Sequence, residues 1–263
     1  MSRTTSRTPS KRSVLDALVE MSRTLGAPDK DFATLGEGNT AARIDGRSFF
    51  VKASGSRLGY SQRDSFVEVL FAPALAMLKR RRMTDRQIKD GLVAAKADTH
   101  AKAHPSVETT LHAFLLTLPG VNFVGHTHPV SVNAFLCARG GKKLLAGHLF
   151  PEEIVFCGLE PVWVEYQDPG LPLARAIRKN VLAHIDRYGE VPKSVLLQNH
   201  GLIAMGPTVA EVEGTTIMWD KFARVLLGTM ALGGPRFLTR KHVARIATRP
   251  DETYRIRRLR AER

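Results

Sequence analysis

Asn122-Phe123-Val124-Gly125-His126-Thr127-His128-Pro129 is the stretch on which the reading turns. It follows the breaker pair Pro119-Gly120, and its apolar, partly β-branched opening predicts a strand. Residues two apart on a strand face the same way, so His126 and His128 are expected side by side. Paired neutral imidazoles suit a divalent transition metal. A second strand-like run, Ser194-Val195-Leu196-Leu197-Gln198-Asn199-His200-Gly201, offers a third histidine, His200. Glu108, at the start of the helix expected before the first strand, offers a carboxylate. Three histidines with an exchangeable oxygen position are the composition of a catalytic rather than a structural zinc site. Alone, a His-x-His pair is as readily two hydrogen-bonded histidines. The third histidine and the carboxylate tip the reading to metal.

The rest of the chain sets bounds. A length of 263 residues suits one large domain or two small ones. A hydrophobic fraction of 43% is ample for a core. No apolar run approaches the ~20 residues of a membrane span. Cys137 and Cys157 are too few for a disulfide framework and are not spaced as a metal pair; they read as thiols of a reducing cytoplasm. The net charge is +14. Residues 1–12 contribute +4 through Arg3, Arg7, Lys11 and Arg12, and residues 240–263 contribute +6 from nine basic against three acidic residues. Ten of the fourteen excess charges therefore sit at the two ends. Such a field helps attract an anionic substrate. Without a recognised motif carrying interleaved aromatics, it argues little for nucleic acid. The expected organisation is a disordered basic tail over 1–12, one domain over 13–238, and a basic, partly ordered tail over 239–263.

Along the chain, Ser13 with Asp16 reads as the cap of a first helix that ends at Gly26-Ala27-Pro28. Gly36-x-Gly38-x-x-Ala41 loosely matches a dinucleotide loop, which should open a helix. Here the chain runs through Asp45-Gly46 into the strand Ser48–Lys52, so a β-hairpin is expected and the dinucleotide reading is rejected. The turn at Gly38-Asn39 and the small residues of Ala53-Ser54-Gly55-Ser56 offer free amides and hydroxyls to an anion, although plain turns look the same. Ser61 with Asp64 is read as starting a helix through Met77-Leu78, and Thr84 with Gln87 as starting another to about Ala95. Ser106 reads as the N-cap of the helix bearing Glu108. A first-turn carboxylate is favoured by the helix dipole in any protein. His112, one turn on, reads as packed rather than as a partner of the site. Strands are expected over 161–166, 195–198 and 202–205, with helices over 129–136, 173–188 and from Thr208 to about Leu232.

In this order — Gly-Asn turn, Ser-Gly strand end, Pro-Ser-x-Glu helix start, His-x-His strand, Asn-His-Gly strand — the chain resembles the class II aldolase/adducin family from about Gly36 to Leu232. Lys52-Ala53-Ser54-Gly55-Ser56-Arg57-Leu58 and Pro105 to Leu115 look most like the aldolase part of bifunctional rhamnulose-phosphate aldolase/dehydrogenases, with no room here for the dehydrogenase part. The resemblance implies an α/β fold: a three-layer α/β/α sandwich around a central, mostly antiparallel sheet, assembled as a homotetramer. It implies Zn²⁺, or another divalent transition metal, on His126, His128 and His200. Glu108 is implied as the proton-transfer residue and as a resting-state ligand, and Asn39, Ser54, Gly55 and Ser106 as the phosphate site.

Three departures bear on the substrate. Val107 stands where the family often has a second serine, and Glu37 places a carboxylate beside Gly38-Asn39. No tyrosine acid can be assigned beyond Tyr254 in the tail. Adducin-like members lack the metal histidines, which this chain keeps. Pentulose-phosphate epimerases carry Asp in place of Glu108. The implied activity is a cytoplasmic zinc-dependent lyase that cleaves a small ketose phosphate through a metal-stabilised enediolate. Dehydration of a methylthioribulose-phosphate-like substrate, decarboxylation of a 3-oxo acid phosphate, or a non-catalytic binding role on the same fold are the alternatives.

Overall fold

A computed structural model describes residues 9–251. The first helix, α1 (Lys11–Leu25), begins earlier than Ser13: the Ser10 hydroxyl accepts the Ser13 N–H at 3.1 Å and is the true N-cap. The expected hairpin is present as β1 (Asn39–Arg43) and β2 (Ser48–Lys52), with Ala41 opposite Val51. The helix expected from Ser61 is not. That stretch forms short 3₁₀ turns, then β3 (Phe66–Leu70), and only then α2 (Phe71–Lys79). Phe66, Leu70, Phe71, Ala74 and Leu78 carry helical spacing, which hid the strand. Pairing of Lys52 with Phe66 and Phe50 with Glu68 across β2 overrides it. The change from strand to helix at Leu70 has no side-chain cap, so no sequence signal marks it.

The remaining elements include the expected ones in their expected order, together with three helices, near 141–145, 151–157 and 240–247, that the sequence reading did not foresee. They are α3 (Asp85–Ala94), α4 (Thr109–Leu115), β4 (Phe123–Thr127), α5 (Val130–Leu136), α6 (Gly141–Leu145), α7 (Pro151–Cys157) and β5 (Val162–Val164). After them come α8 (Leu171–Tyr188), β6 (Ser194–Leu197), β7 (Gly201–Gly206), α9 (Val209–Met230) and α10 (Arg240–Ala247). Thr84 and Thr208 cap α3 and α9, as their sequence spacing predicts. Ser106 does not cap α4. Its hydroxyl accepts the Glu108 N–H at 3.2 Å and its carbonyl the Thr109 N–H at 3.0 Å, and Glu108 itself is the N-cap residue. Within the stretch read as a basic tail, Thr239 caps α10, and the Leu238 N–H donates to the His148 carbonyl at 2.8 Å. Tyr254 lies outside the described residues.

The seven strands form one sheet in the order β3-β2-β1-β4-β7-β6-β5, antiparallel except for the parallel pair β5–β6. Helices cover both faces, as the α/β/α expectation requires. On one face Phe49, Val51, Val124 and Ile203 pack with Phe71, Leu111, Leu115 and Ile177 from α2, α4 and α8. On the other, Ala42, Phe50 and Ala204 meet Leu18 and Leu25 of α1 and Val212 of α9. Trp219 and Phe222 of α9 close the far end over Leu196 and Leu202. Among the described residues, no helix is long and apolar enough to cross a membrane.

The sheet register prepares the site. Asn39 lies opposite His126 on one side, and Ile203 lies opposite it on the other. His126 therefore continues the face of Val124, toward α4, at the end of the central strands.

Candidate metal centre

His126, in the centre of the sheet, is fully buried. Its Nδ1 lies 3.1 Å from the Leu202 carbonyl. A carbonyl only accepts, so Nδ1 carries the proton and Nε2 presents its lone pair to the cleft. His128 follows one residue beyond β4, and its backbone N–H is tied to the Phe32 carbonyl at 2.7 Å. His200 ends the three-residue connection from β6 to β7, whose middle residue, Asn199, takes a left-handed conformation with φ 52°. Asn133 of α5 donates to the His200 carbonyl at 3.1 Å.

The three imidazoles converge through Nε2. His126 Nε2 lies 3.1 Å from His128 Nε2 and 3.3 Å from His200 Nε2. One potential ligand nitrogen from each ring lies within 4.8 Å of the others. Burial, then the neighbouring imidazoles, push His126 and His128 down to about 3, so both are neutral at physiological pH. The Nε2 lone pair of His126 faces Nε2 of both His128 and His200, an arrangement that a cation among the three would satisfy. A tetrahedral zinc ion with Zn–N bonds of about 2.0–2.1 Å holds its ligand atoms about 3.3 Å apart, which matches the two distances from His126 to its neighbours. The donor set fits a divalent transition metal.

A glycine makes room for this approach. A Cβ on Gly201 would lie 2.6 Å from the Thr127 carbonyl oxygen and 2.7 Å from Cδ2 of His128. Gly38, at φ +70°, passes so close under β4 that a Cβ there would lie 2.6 Å from the His126 carbonyl oxygen.

Glu108 faces the histidines. Oε2 is 3.5 Å from His126 Nε2 and Oε1 is 3.7 Å from His200 Nε2. Oε2 accepts the Asn39 amide N–H at 2.7 Å, whereas Oε1 is buried without a hydrogen-bond partner. The other end of the Asn39 side chain, Oδ1, is hydrogen-bonded to His112 Nε2. His112 is thus a member of a polar chain to the site and not a packed bystander. Burial pushes it down to about 3, against the opposing pull of Glu108.

The expected anion residues fall into two groups. Asn39 and Ser106 are buried beside Glu108. Ser54 and Gly55 are exposed, on the loop that the Ala53–Pro105 bridge and the Ser54 N–H to His104 carbonyl bond bring alongside. Lys52, which the sequence reading did not single out, is buried beneath this loop and donates to the Ser56 carbonyl. Burial lowers its pKa, with Glu108 opposing. Glu37 is tied to its own turn. Its Oε2 accepts the Thr34 N–H at 2.9 Å and its Oε1 lies 3.8 Å from His128 Nδ1.

Comparison with known proteins identifies the family and the fold. Residues 16–227 match the family model described as the Class II Aldolase and Adducin N-terminal domain. The chain is 31% identical over 202 residues to the uncharacterized oxidoreductase YuxG of Bacillus subtilis, covering 74% of this chain but only 27% of that protein's length. It is 30% identical over 229 residues to a methylthioribulose-1-phosphate dehydratase of Cronobacter sakazakii, covering 80% of this chain and 94% of the relative. The N-terminal class II aldolase domain of a conserved Thermoplasma acidophilum protein superposes with a TM-score of 0.67 at 27% identity, over 86% of this chain and 99% of that one.

Proposed function

The chain belongs to the class II aldolase and adducin family, and from that premise we propose that it is a zinc-dependent lyase that cleaves a carbon–carbon bond in a small ketose phosphate. The observation that carries the proposal is the convergence of three imidazole nitrogens, with Nε2 of His126 3.1 and 3.3 Å from those of His128 and His200, and a buried carboxylate 3.5–3.7 Å from two of them. His126, His128 and His200 would hold the metal, with Glu108 as a further ligand in the resting state. The chemistry a divalent cation supplies in such a site is Lewis-acid polarisation of a carbonyl oxygen and stabilisation of developing negative charge.

The protein's own groups do the rest. Glu108 would take the proton of the substrate hydroxyl as the carbon–carbon bond breaks and return it to the carbon next to the carbonyl. Ser54, Gly55 and Ser106 would receive the phosphate. Asn39 would reach it only with the amide hydrogen that Glu108 does not take. Lys52 beneath the loop adds positive charge. The exposed apolar side chains Leu35, Val107 and Val130 flank Asn39, Glu108 and His128 in the chain, and they support assembly into a homotetramer with its sites at subunit contacts. Both cysteines are free thiols, which suits a cytoplasmic enzyme.

The name of the Cronobacter relative favours a second reading, water elimination from a methylthioribulose-phosphate-like substrate. There Glu108 would remove the proton next to the carbonyl. Incubation of the metal-loaded protein with a panel of ketose 1-phosphates separates the two. Cleavage yields an aldehyde and a smaller phosphorylated ketone, whereas elimination keeps the carbon count. Glu108→Gln is expected to lower either turnover by about 100-fold or more, the scale of one general acid–base group, while retaining metal. Unchanged turnover would refute the role given to Glu108.

A further inference from the structure

The side chains behind the metal centre form a one-directional chain. Asn39, at the first position of β1, is held across the sheet by its pairing with His126. Its amide lies between Glu108 Oε2, at 2.7 Å, and His112 Nε2. All three residues are at most 6% exposed. A carboxylate only accepts hydrogen bonds, so the amide must turn its NH₂ toward Glu108. That leaves Oδ1 facing His112, and His112 must therefore donate through Nε2. Its Nδ1 is buried without a partner, as the neutral ring with its proton on Nε2 allows. Each link fixes the orientation of the next.

We propose that His112 is a positioning residue: through Asn39 it locks Oε2 of Glu108 and leaves Oε1 as the single working oxygen of the carboxylate. The proposal rests on the metal-site reading above, in which Glu108 serves the cleft occupied by the three histidines. Without a donor at position 112, the Glu108 carboxylate alone opposes a flip of the Asn39 amide. A flipped amide would set its oxygen against the carboxylate, and Oε1 would lose its aim. The lock also gives Asn39 a first duty to Glu108, so anion recognition falls mainly to the 54–56 loop and Ser106.

The test is Co²⁺ affinity of the full chain, measured by titration, for His112→Leu and His112→Gln in the wild-type and Glu108→Ala backgrounds. Outer partners of metal sites typically carry 10–100-fold in affinity. His112→Leu is expected to weaken Co²⁺ binding by about tenfold or more in the wild-type background and by less than about twofold beside Glu108→Ala. His112→Gln, whose amide can donate to Asn39, is expected to restore most of the loss. Equal weakening in both backgrounds, or none in the wild-type background, would overturn the proposal. If the wild type binds no Co²⁺ at all, the metal reading fails on its own account. The lock is then decided by ¹⁵N-resolved NMR of the His112 ring: a proton on Nε2 that loses its protection in Asn39→Ala supports it, and a proton on Nδ1 refutes it.

Discussion

The wall of the cleft and its rim are built by different means. On the wall, His126, Glu108, His112 and Asn39 are buried, and each is hydrogen-bonded to a neighbouring strand or helix. Their positions follow from sheet register, which cannot slip without turning a hydrophobic face to water. On the rim, Leu35, Ser54, Gly55 and Val107 are exposed, and Leu35 and Gly55 take positive φ on loops that few side-chain bonds hold. A rigid wall suits metal chemistry, which needs ligands within tenths of an ångström. A loosely held rim suits substrate choice, which varies among relatives. On the proposed reading, the fold thus fixes the candidate metal site more firmly than the substrate.

The hardest blow to this contrast would fall on the wall. Gly201→Ala forces a methyl against the Thr127 carbonyl at 2.6 Å and the His128 ring at 2.7 Å. The expected cost is about 1–3 kcal/mol of stability, as for an overpacked core, with metal affinity down about tenfold or more. Urea denaturation and a metal titration measure the two effects, and an unaltered affinity would show that the wall tolerates more slack than its packing suggests.

Acid should next reveal the wall in the metal-free protein. His126, His128 and His112 have folded-state values of about 3, below the usual 6.5. On acidification the unfolded chain binds these protons first. The stability from burying them neutral is full above about pH 6.5 and drains as pH falls toward about 3. Urea midpoints of the metal-free chain should therefore fall between pH 7 and pH 5, and removing one of these histidines, as in His112→Leu, should make that slope shallower. A slope unaffected by His112→Leu would place the titrating groups elsewhere.

The smallest change belongs to the rim. Ser54→Ala removes one exposed hydroxyl and no wall contact. It should raise KM for a phosphorylated substrate severalfold, about the 0.5–1.5 kcal/mol of one hydrogen bond, with kcat and metal content unchanged. A changed metal content would join rim to wall.

The same division explains what could be read from the chain alone. His126 and His128 are legible because two-residue alternation puts both at one strand end, and His200 because Asn199 and Gly201 mark a tight turn beside it. The caps at Thr84 and Thr208 are local chemistry and are read locally. β3 is not legible, since its pairing with β2 is non-local while its own residues mimic a helical stripe. The role of His112 is hidden for the same reason. Its spacing one turn after Glu108 is visible, but the partner that turns packing into a hydrogen bond is Asn39, far back in the chain. The tight fit at Gly201 likewise depends on Thr127 and His128, which only the fold brings to it.

The central claim is the three-histidine site, and its most direct test is elemental analysis of the purified protein after zinc loading and dialysis, wild type beside His126→Ala. The account predicts about one zinc per wild-type chain, as three protein ligands to one ion require, and next to none in the variant. A wild-type protein that stays empty with zinc supplied, or a variant that keeps its full complement, would contradict it.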